Sequence, residues 1–169
     1  MTTRDHLIKA LRDRLVPAFA GRGFEVAPLL ADEQKSREFR VAFPLGRLRR
    51  VRADGSFEMV EIQLDKRGIS RFRLNFGVIP ARGIDHPIKH VEQHEAVVGF
   101  LFYSGELYSW PLFMRWFSVP SRLSDDVAAS KSIEVVNRVV ALIPEVEDWL
   151  KSGKVGRHVR QVGKPPKNT

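Results

Sequence analysis

The sequence predicts a single α+β domain in which a mostly antiparallel sheet is covered by helices. Apolar residues recur every three or four positions over residues 4–20 and again after Ser124, as they do in amphipathic helices. Between these segments, from residue 24 to about residue 117, apolar and polar residues alternate as in strands. No helical pattern long enough for a parallel crossover separates the strands, so we expect an antiparallel sheet of about five to seven strands.

Residues 4–20 form the amino-terminal helix that is predicted to cover the sheet. Its apolar residues recur at intervals of four and therefore share one helix face: Leu7, Leu11, Leu15 and Phe19. Thr3 is predicted to cap the start of the helix by accepting a backbone hydrogen bond. Gly21 or Gly23 is predicted to end it, because glycine adopts the left-handed conformation found at helix ends.

The sheet begins with a predicted strand at residues 39–43, where phenylalanine and valine alternate with arginine and alanine. Asp54-Gly55 lies between two further strands, 48–53 and 57–64, and favours the tight turn of a hairpin. Residues 72–78 alternate in the same way and form the next strand.

A second hairpin is predicted around Ser104-Gly105, which lies between strand-like residues 97–103 and 106–110. This region also holds eight of the sixteen aromatic residues of the chain, between positions 100 and 117. Such a cluster could line a cleft for a ring-bearing ligand. Burial against the covering helices, with one or two tryptophans exposed, is the alternative that we favour.

The carboxy-terminal helices are predicted to begin at Ser124, where two aspartates follow and complement the helix dipole. Pro144 should stop or kink the first helix, because it cannot donate a backbone hydrogen bond, and residues 144–150 should form a second one closed by Gly153. The sequence therefore predicts a domain over residues 1–152. Residues 153–169 are predicted to be a basic, flexible tail, because they hold too few apolar residues to pack.

Composition excludes several classes of protein. The chain has no cysteine, so it has no disulfide framework and no thiolate nucleophile. It has no apolar run near the ~20 residues that span a bilayer, and its first residues lack the pattern of an export signal. Phosphate-binding loops, dinucleotide-binding glycine motifs and nucleophile elbows are absent from the sequence as well. We expect a cytoplasmic protein with no membrane partner, no cofactor and no catalytic residue that the sequence singles out.

The net charge of +8 raises the possibility of a polyanionic partner. Residues 151–169 carry six cations and no carboxylate, so residues 1–150 hold 22 cations against 20 carboxylates. An arginine-rich strand could extend the basic surface, and cross-strand ion pairs on a solvated face are the alternative. The candidate residues for weak, non-specific nucleic-acid binding are Arg49, Arg50, Arg52, Lys154, Arg157 and Arg160.

Three histidines, His86, His90 and His94, recur at intervals of four and come closest to a metal motif. Glu92 is misplaced for either of the helical zinc motifs that combine two histidines with a glutamate. We therefore interpret the segment as a polar connection between strands and predict no bound metal.

The polar side of the central strands provides the candidate ligand site. Glu61 and Gln63 share one sheet face, and Arg73 and Asn75 share a face of the next strand. Side chains of mixed hydrogen-bonding type on one face form the floor of a ligand site when another element covers them. Without such a cover they would only meet water.

Several short motifs resemble the domain-of-unknown-function 4304 family of small, mostly bacterial proteins. They are the first helix ending in Gly23-Phe24, the strand at residues 60–64 with its glutamine, residues 72–78 with their Asn-x-Gly, and the closing segment 143–150. The resemblance covers about residues 5–150, whereas the arginine-rich residues 47–52 and the basic tail depart from it. It implies an α+β fold and no established activity.

These observations leave three hypotheses about function. The first is a binding module that recognises a protein or a small ligand through the sheet face or an aromatic cleft. The second is a nucleic-acid-associated protein that uses the basic tail and the arginines. The third and least supported is a metal-dependent hydrolase at the histidines.

Overall fold

The computed structural model describes residues 1–167 and confirms the α+β class with an antiparallel sheet. Within those residues seven strands form one sheet in the order β1-β2-β3-β4-β7-β9, and β8 pairs with β4 beside β7. A separate ribbon consists of β5 and β6. The strands are β1 (Glu25–Ala27), β2 (Arg47–Val51), β3 (Phe57–Leu64), β4 (Arg71–Ile79), β5 (Ile84–Asp85), β6 (His90–Val91), β7 (Tyr103–Leu107), β8 (Phe117–Ser118) and β9 (Val159–Gly163).

Two long helical segments cover one face of the sheet. The first consists of α1 (Thr3–Ala10), a π-helical turn (Leu11–Leu15) and α2 (Val16–Ala20), and the second is α5 (Asp125–Ser152). They enclose the main core together with alternate residues of β3 and β4, such as Val60, Leu74 and Phe76. Two short helices, α3 (Ala31–Lys35) and α4 (Arg37–Ala42), precede β2. The remaining helical elements are 3₁₀ turns at Gln93–Glu95, Val98–Phe100 and Pro111–Phe113.

The opposite face of the sheet carries a smaller apolar cluster. Met59 of β3 and Ile79 of β4 pack there against the connection between β4 and β7. That connection includes the β5–β6 ribbon. It also includes residues 97–101, and we call these five residues the roof segment. Buried Val98 belongs to both the roof segment and the smaller cluster. The sheet is thus covered on both sides, by helices on one and by a long connection on the other.

Several boundaries agree with the sequence and others do not. The hairpin around Asp54-Gly55 and the end of α5 at Gly153 are as predicted, and the strand predicted at residues 72–78 extends over residues 71–79. Thr2 rather than Thr3 caps α1, with its side chain accepting a hydrogen bond from the backbone N–H of Asp5. Pro144 does not interrupt α5, because its neighbours Ile143 and Val146 are fully buried and packing holds the helix together.

The strand predicted at residues 39–43 is wrong, since Arg37–Ala42 form α4. Phe39 and Phe43 are four residues apart, and their rings stack at 6.4 Å on one side of this helix. A segment this short satisfies both a two-residue and a four-residue spacing, so alternation alone could not decide between strand and helix.

The second predicted hairpin is also wrong, because Ser104 and Gly105 lie inside β7 rather than at a turn. Gly105 pairs with Phe76 of β4, and a Cβ atom at position 105 would lie 2.2 Å from the Phe76 ring. The glycine is therefore needed for the close approach of a large neighbouring side chain. A glycine inside a strand often has this role, which the sequence does not distinguish from a turn.

The prediction of a flexible tail from residue 153 is wrong for residues 159–163, which form β9 and pair with β7. Val159 is buried in the main core opposite Leu107. Backbone pairing and one buried valine thus order a segment that is otherwise polar. Residues 164–167 have no regular secondary structure, and the last two residues of the predicted tail lie outside the described part of the chain.

Candidate functional site

A row of polar side chains crosses the sheet on the face away from α5. Strand register places Arg47 of β2 opposite Glu61 of β3, and Glu61 opposite Asn75 of β4. Asn75 is in turn opposite Glu106 of β7, which is opposite Arg160 of β9. We call these five residues the polar row. Five neighbouring strands therefore bring cations, carboxylates and one amide into a line.

One end of the polar row is a buried ion-pair triad. Arg47 Nε donates a hydrogen bond of 2.8 Å to Glu61 Oε1, and its two Nη atoms donate to the carboxylate of Glu33 at 2.5 and 2.8 Å. All three side chains are buried. Burial raises the pKa of Glu61, although the charge of Arg47 opposes this shift. Burial alone would lower the pKa of Arg47, but the hydrogen bonds to Glu33 and the charge of Glu61 raise it above its ordinary value.

Two amide side chains next to this triad have orientations fixed by an arginine. Gln63 Oε1 accepts hydrogen bonds from Arg73 Nε at 3.1 Å and from Asn75 Nδ2 at 2.8 Å. Because arginine can only donate, Gln63 must present its oxygen, and Asn75 must then present its nitrogen to Gln63. The remaining oxygen, Asn75 Oδ1, is buried and has no hydrogen-bond partner in the described part of the chain.

Arg73 also connects this network to the other end of the polar row. Its Nη1 donates to the hydroxyl of Tyr108 and lies 3.5 Å from Glu106 Oε1. The Tyr108 hydroxyl donates to Glu106 Oε2 at 3.0 Å, and Arg160 lies 3.5 Å from the same oxygen. Burial raises the pKa of Tyr108. The charged groups at this end are therefore paired with one another.

Six of these residues form the floor of a cavity of about 320 Å³, which we call the sheet-face cavity: Arg47, Glu61, Gln63, Arg73, Asn75 and Glu106. The four residues predicted from sequence, Glu61, Gln63, Arg73 and Asn75, all line it. Its remaining walls come from Phe39 and Phe43 near α4 and from the roof segment. The structure thus brings the four side chains together under a cover. Whether they bind a ligand remains a prediction.

Arg47 and Glu106 also line the sheet-face cavity and are not among the residues predicted from sequence. Counting residue pairs outward from the Asp54-Gly55 turn places Arg47 opposite Ile62, one residue away from its observed partner Glu61, so only an approximate signal for Arg47 is present. Glu106 has no such signal, because the sequence around it predicts a hairpin turn at Ser104-Gly105 that the structure does not contain. Glu33 lies in α3, and no local sequence pattern indicates where this helix packs relative to the sheet.

The predicted nucleic-acid residues do not form one surface. Arg49 lies over the ring of Phe57, whereas Arg50 and Arg52 both pair with Glu58, at 2.5 and 2.9 Å. Arg50 also lies 3.0 Å from Glu147 of α5. Adjacent strand residues point to opposite sheet faces, which separates Arg49 from Arg50.

The cations beyond α5 are dispersed as well. Lys154 lies 3.7 Å from Asp148, and Arg157 lies over the ring of Trp110. Arg160 belongs to the polar row. Most of the predicted basic surface is therefore engaged with carboxylates or aromatic rings of the protein itself.

The three predicted histidines do not converge. His90 Nδ1 lies 2.8 Å from Asp85, and the ring of His86 stacks against Phe102. Within residues 1–167, no three histidine, aspartate or glutamate side chains are placed to hold a metal ion. The aromatic cluster divides into a buried part that includes Tyr108 and Phe117 and an exposed part that includes Phe102 and Phe113.

Comparison of the chain with protein-family models, with curated proteins and with solved structures gives no match. None of the helices within residues 1–167 combines the length and the apolar character needed to cross a bilayer.

Proposed function

We propose that this protein is a binding module for a small, uncharged, polar molecule, which occupies the sheet-face cavity. The observation that carries the proposal is Asn75 Oδ1, a buried acceptor with no hydrogen-bond partner in the described residues. Leaving such an atom unpaired costs about 1–3 kcal/mol. Asn75 lines the sheet-face cavity, so a ligand there that supplies an N–H or O–H donor would recover this cost after a small movement that uncovers Oδ1.

The charge pattern of the floor favours an uncharged ligand. Arg47 is paired with two carboxylates, and Arg73 is held by Glu106 and the Tyr108 hydroxyl. A charged ligand would have to compete with the buried pairs of Arg47, where breaking one costs about 3–5 kcal/mol, or with the half-buried pair of Arg73 and Glu106. An uncharged donor can bind Asn75 without disturbing them.

The walls favour a ligand with an apolar side. Phe39, Phe43 and Val162 line the cavity together with Val97 and Leu101 of the roof segment. A volume of about 320 Å³ is at the lower end of the range for small-ligand cavities. A primary amide or lactam attached to a small ring fits both the donor requirement and the apolar walls.

Ligand-detected NMR with benzamide tests this proposal, with benzoate and benzylamine as charged molecules of the same size. We expect saturable binding of benzamide only. Asn75→Leu, which keeps the branched shape of the side chain but removes the acceptor, should weaken it by about tenfold, the worth of one hydrogen bond. Asn137→Leu on the exposed side of α5 is the matched control and should leave binding unchanged.

A second variant keeps the test decisive if Asn75→Leu disturbs the sheet. Val97→Trp places a large ring in the cavity from the half-buried roof segment and should abolish binding without altering the floor. Unchanged benzamide binding in Val97→Trp, or equal binding of benzoate, would show that the sheet-face cavity is not this site.

A further inference from the structure

A second cavity lies where the carboxy-terminal end of α5 meets the ends of β4 and β7. Its volume is about 530 Å³, within the range of small-ligand cavities. We call it the helix-end cavity. Leu101 lines both this cavity and the sheet-face cavity. The two cavities are thus neighbours with different chemical linings.

Aromatic rings form the wall of the helix-end cavity. Tyr103 and Trp149 lie against each other with ring centroids 4.8 Å apart, and both line it. Phe102 also lines it and is 61% exposed. An exposed phenylalanine beside an apolar cavity leaves surface that a bound apolar group would remove from water.

The rim of the same cavity is cationic. Arg52, Arg82 and Lys164 line it, against one carboxylate, Asp85. Arg52 is already paired with Glu58, and Asp85 is paired with His90. Among residues 1–167, no carboxylate oxygen lies within 4.0 Å of the charged nitrogens of Arg82 or Lys164. The hydrogen bond with His90 and the charge of Arg82 both lower the pKa of Asp85, so Arg82 is partly balanced and Lys164 is not. Both cations can still hold an anion.

We propose that the helix-end cavity binds an amphipathic anion, a small molecule with an apolar chain or ring system and one carboxylate, sulfonate or phosphate group. The apolar part lies against Trp149, Tyr103 and Phe102. The anionic group is held at the rim by Arg82 and Lys164 through charge-assisted hydrogen bonds. Leu101 lines both cavities, but none of the polar groups of the sheet-face cavity takes part here, so this proposal is independent of the first.

Fluorescence titration with 1-anilinonaphthalene-8-sulfonate, an aromatic sulfonate, tests the site directly, and decanoate serves as a competitor. We expect one saturable site per chain from which decanoate displaces the probe and decanol does so about tenfold less well. The double variant Arg82→Gln and Lys164→Gln should weaken probe binding by about tenfold or more. The matched control Arg12→Gln and Lys151→Gln, which removes two exposed cations outside the cavity, should not.

A pair of exposed phenylalanines tests the apolar wall. Phe102→Ser should weaken probe binding, whereas Phe113→Ser, at an even more exposed position on the 3₁₀ turn Pro111–Phe113, should not. Loss of binding in Phe113→Ser alone would place the probe on that turn and overturn the proposal. Equal loss of probe binding in the two cation double variants would also overturn it. The same holds if the protein binds anionic lipid vesicles while free decanoate does not displace the probe.

Discussion

Glu33 and Glu61 share the guanidinium of Arg47 in a region that excludes water. Two carboxylates around one cation leave a net negative charge, which burial makes costly. Glu61 carries this cost because it lies deepest, between β2 and β4, and burial raises its pKa. The triad therefore holds the polar row in place but makes the stability of the fold depend on pH.

Glu61→Gln should change this dependence in a defined direction. Because the pKa of Glu61 is raised in the folded protein, its contribution to the free energy of unfolding is present below its ordinary value of 4.5 and is lost as the pH rises through the folded value. A glutamine side chain does not titrate, so the variant does not lose stability in this way as the pH rises. Its stability relative to the unmodified protein should therefore rise as the pH increases above about 4.5 in urea unfolding.

Glu134→Gln provides a control with the opposite sign. The hydrogen bond from Lys131 lowers the pKa of the exposed Glu134, so its contribution is present above its ordinary value and is lost as the pH falls. Glu134→Gln should therefore have a lower free energy of unfolding than the unmodified protein at neutral pH, and this difference should shrink at acidic pH. A difference curve for Glu61→Gln that runs in the same direction as that for Glu134→Gln would show that the triad lowers the pKa of Glu61.

At the scale of elements, β9 is the strand that local sequence patterns indicate least, since its residues are predicted to be part of a flexible tail. Its valines, Val159 and Val162, are three residues apart and lie on opposite faces, so they give no alternating pattern. The strand exists because β7 offers it an unpaired edge. Long-range pairing of this kind is a property of two distant segments, and no local period reveals it.

Gly163→Ala tests whether β9 stabilises the sheet. Gly163 has φ = 78°, and a Cβ atom there would lie 1.8 Å from the carbonyl oxygen of Phe102. The substitution adds a clash to the strain of a left-handed conformation and should cost about 2–4 kcal/mol in urea unfolding. Gly68→Ala is the matched control, since Gly68 has φ = 85° with open space around it and should cost only about 1–2 kcal/mol. Equal costs would mean that β9 does not pair with β7 in solution.

The four predicted ligand-site residues were within reach of sequence because they lie on one hairpin, β3–β4, whose two strands alternate clearly. Glu61 and Asn75, and Gln63 and Arg73, are direct cross-strand neighbours. Glu33 and the roof segment come from connections whose position depends on tertiary packing. Sequence therefore indicated most of the floor of the cavity, and only the structure shows its cover.

At the scale of the whole molecule, the two faces of the sheet differ in how strongly they are held. The helix face is closed by a large core with continuous helices, whereas the other face is closed by the small cluster beneath the β5–β6 ribbon. Local opening is easiest where few apolar groups are buried and the elements are short. We therefore expect the side that carries the sheet-face cavity to open more easily.

Hydrogen exchange measured by NMR should show this difference. Backbone amides of β3 and β4 should exchange only through global unfolding, whereas those of residues 84–101 should exchange through openings of lower free energy. Benzamide bound in the sheet-face cavity should slow exchange in residues 97–101 selectively. Exchange of both regions at the same free energy would mean that the roof segment unfolds with the core and does not open alone.

The excess of eight positive charges over the whole chain governs any contact with nucleic acid. Because the predicted arginines are paired within the protein and separated between faces, duplex binding should be weak and should depend on net charge rather than on one surface. Replacing Lys151 and Lys154 by glutamine should therefore weaken binding as much as replacing Lys66 and Lys89. Each pair has one lysine near a carboxylate, Lys154 with Asp148 and Lys66 with Glu38. In salt-titrated fluorescence anisotropy, either double variant should reduce the log–log salt slope by at most about 2. A larger loss for one pair, or a preference for one DNA sequence, would show a defined nucleic-acid site.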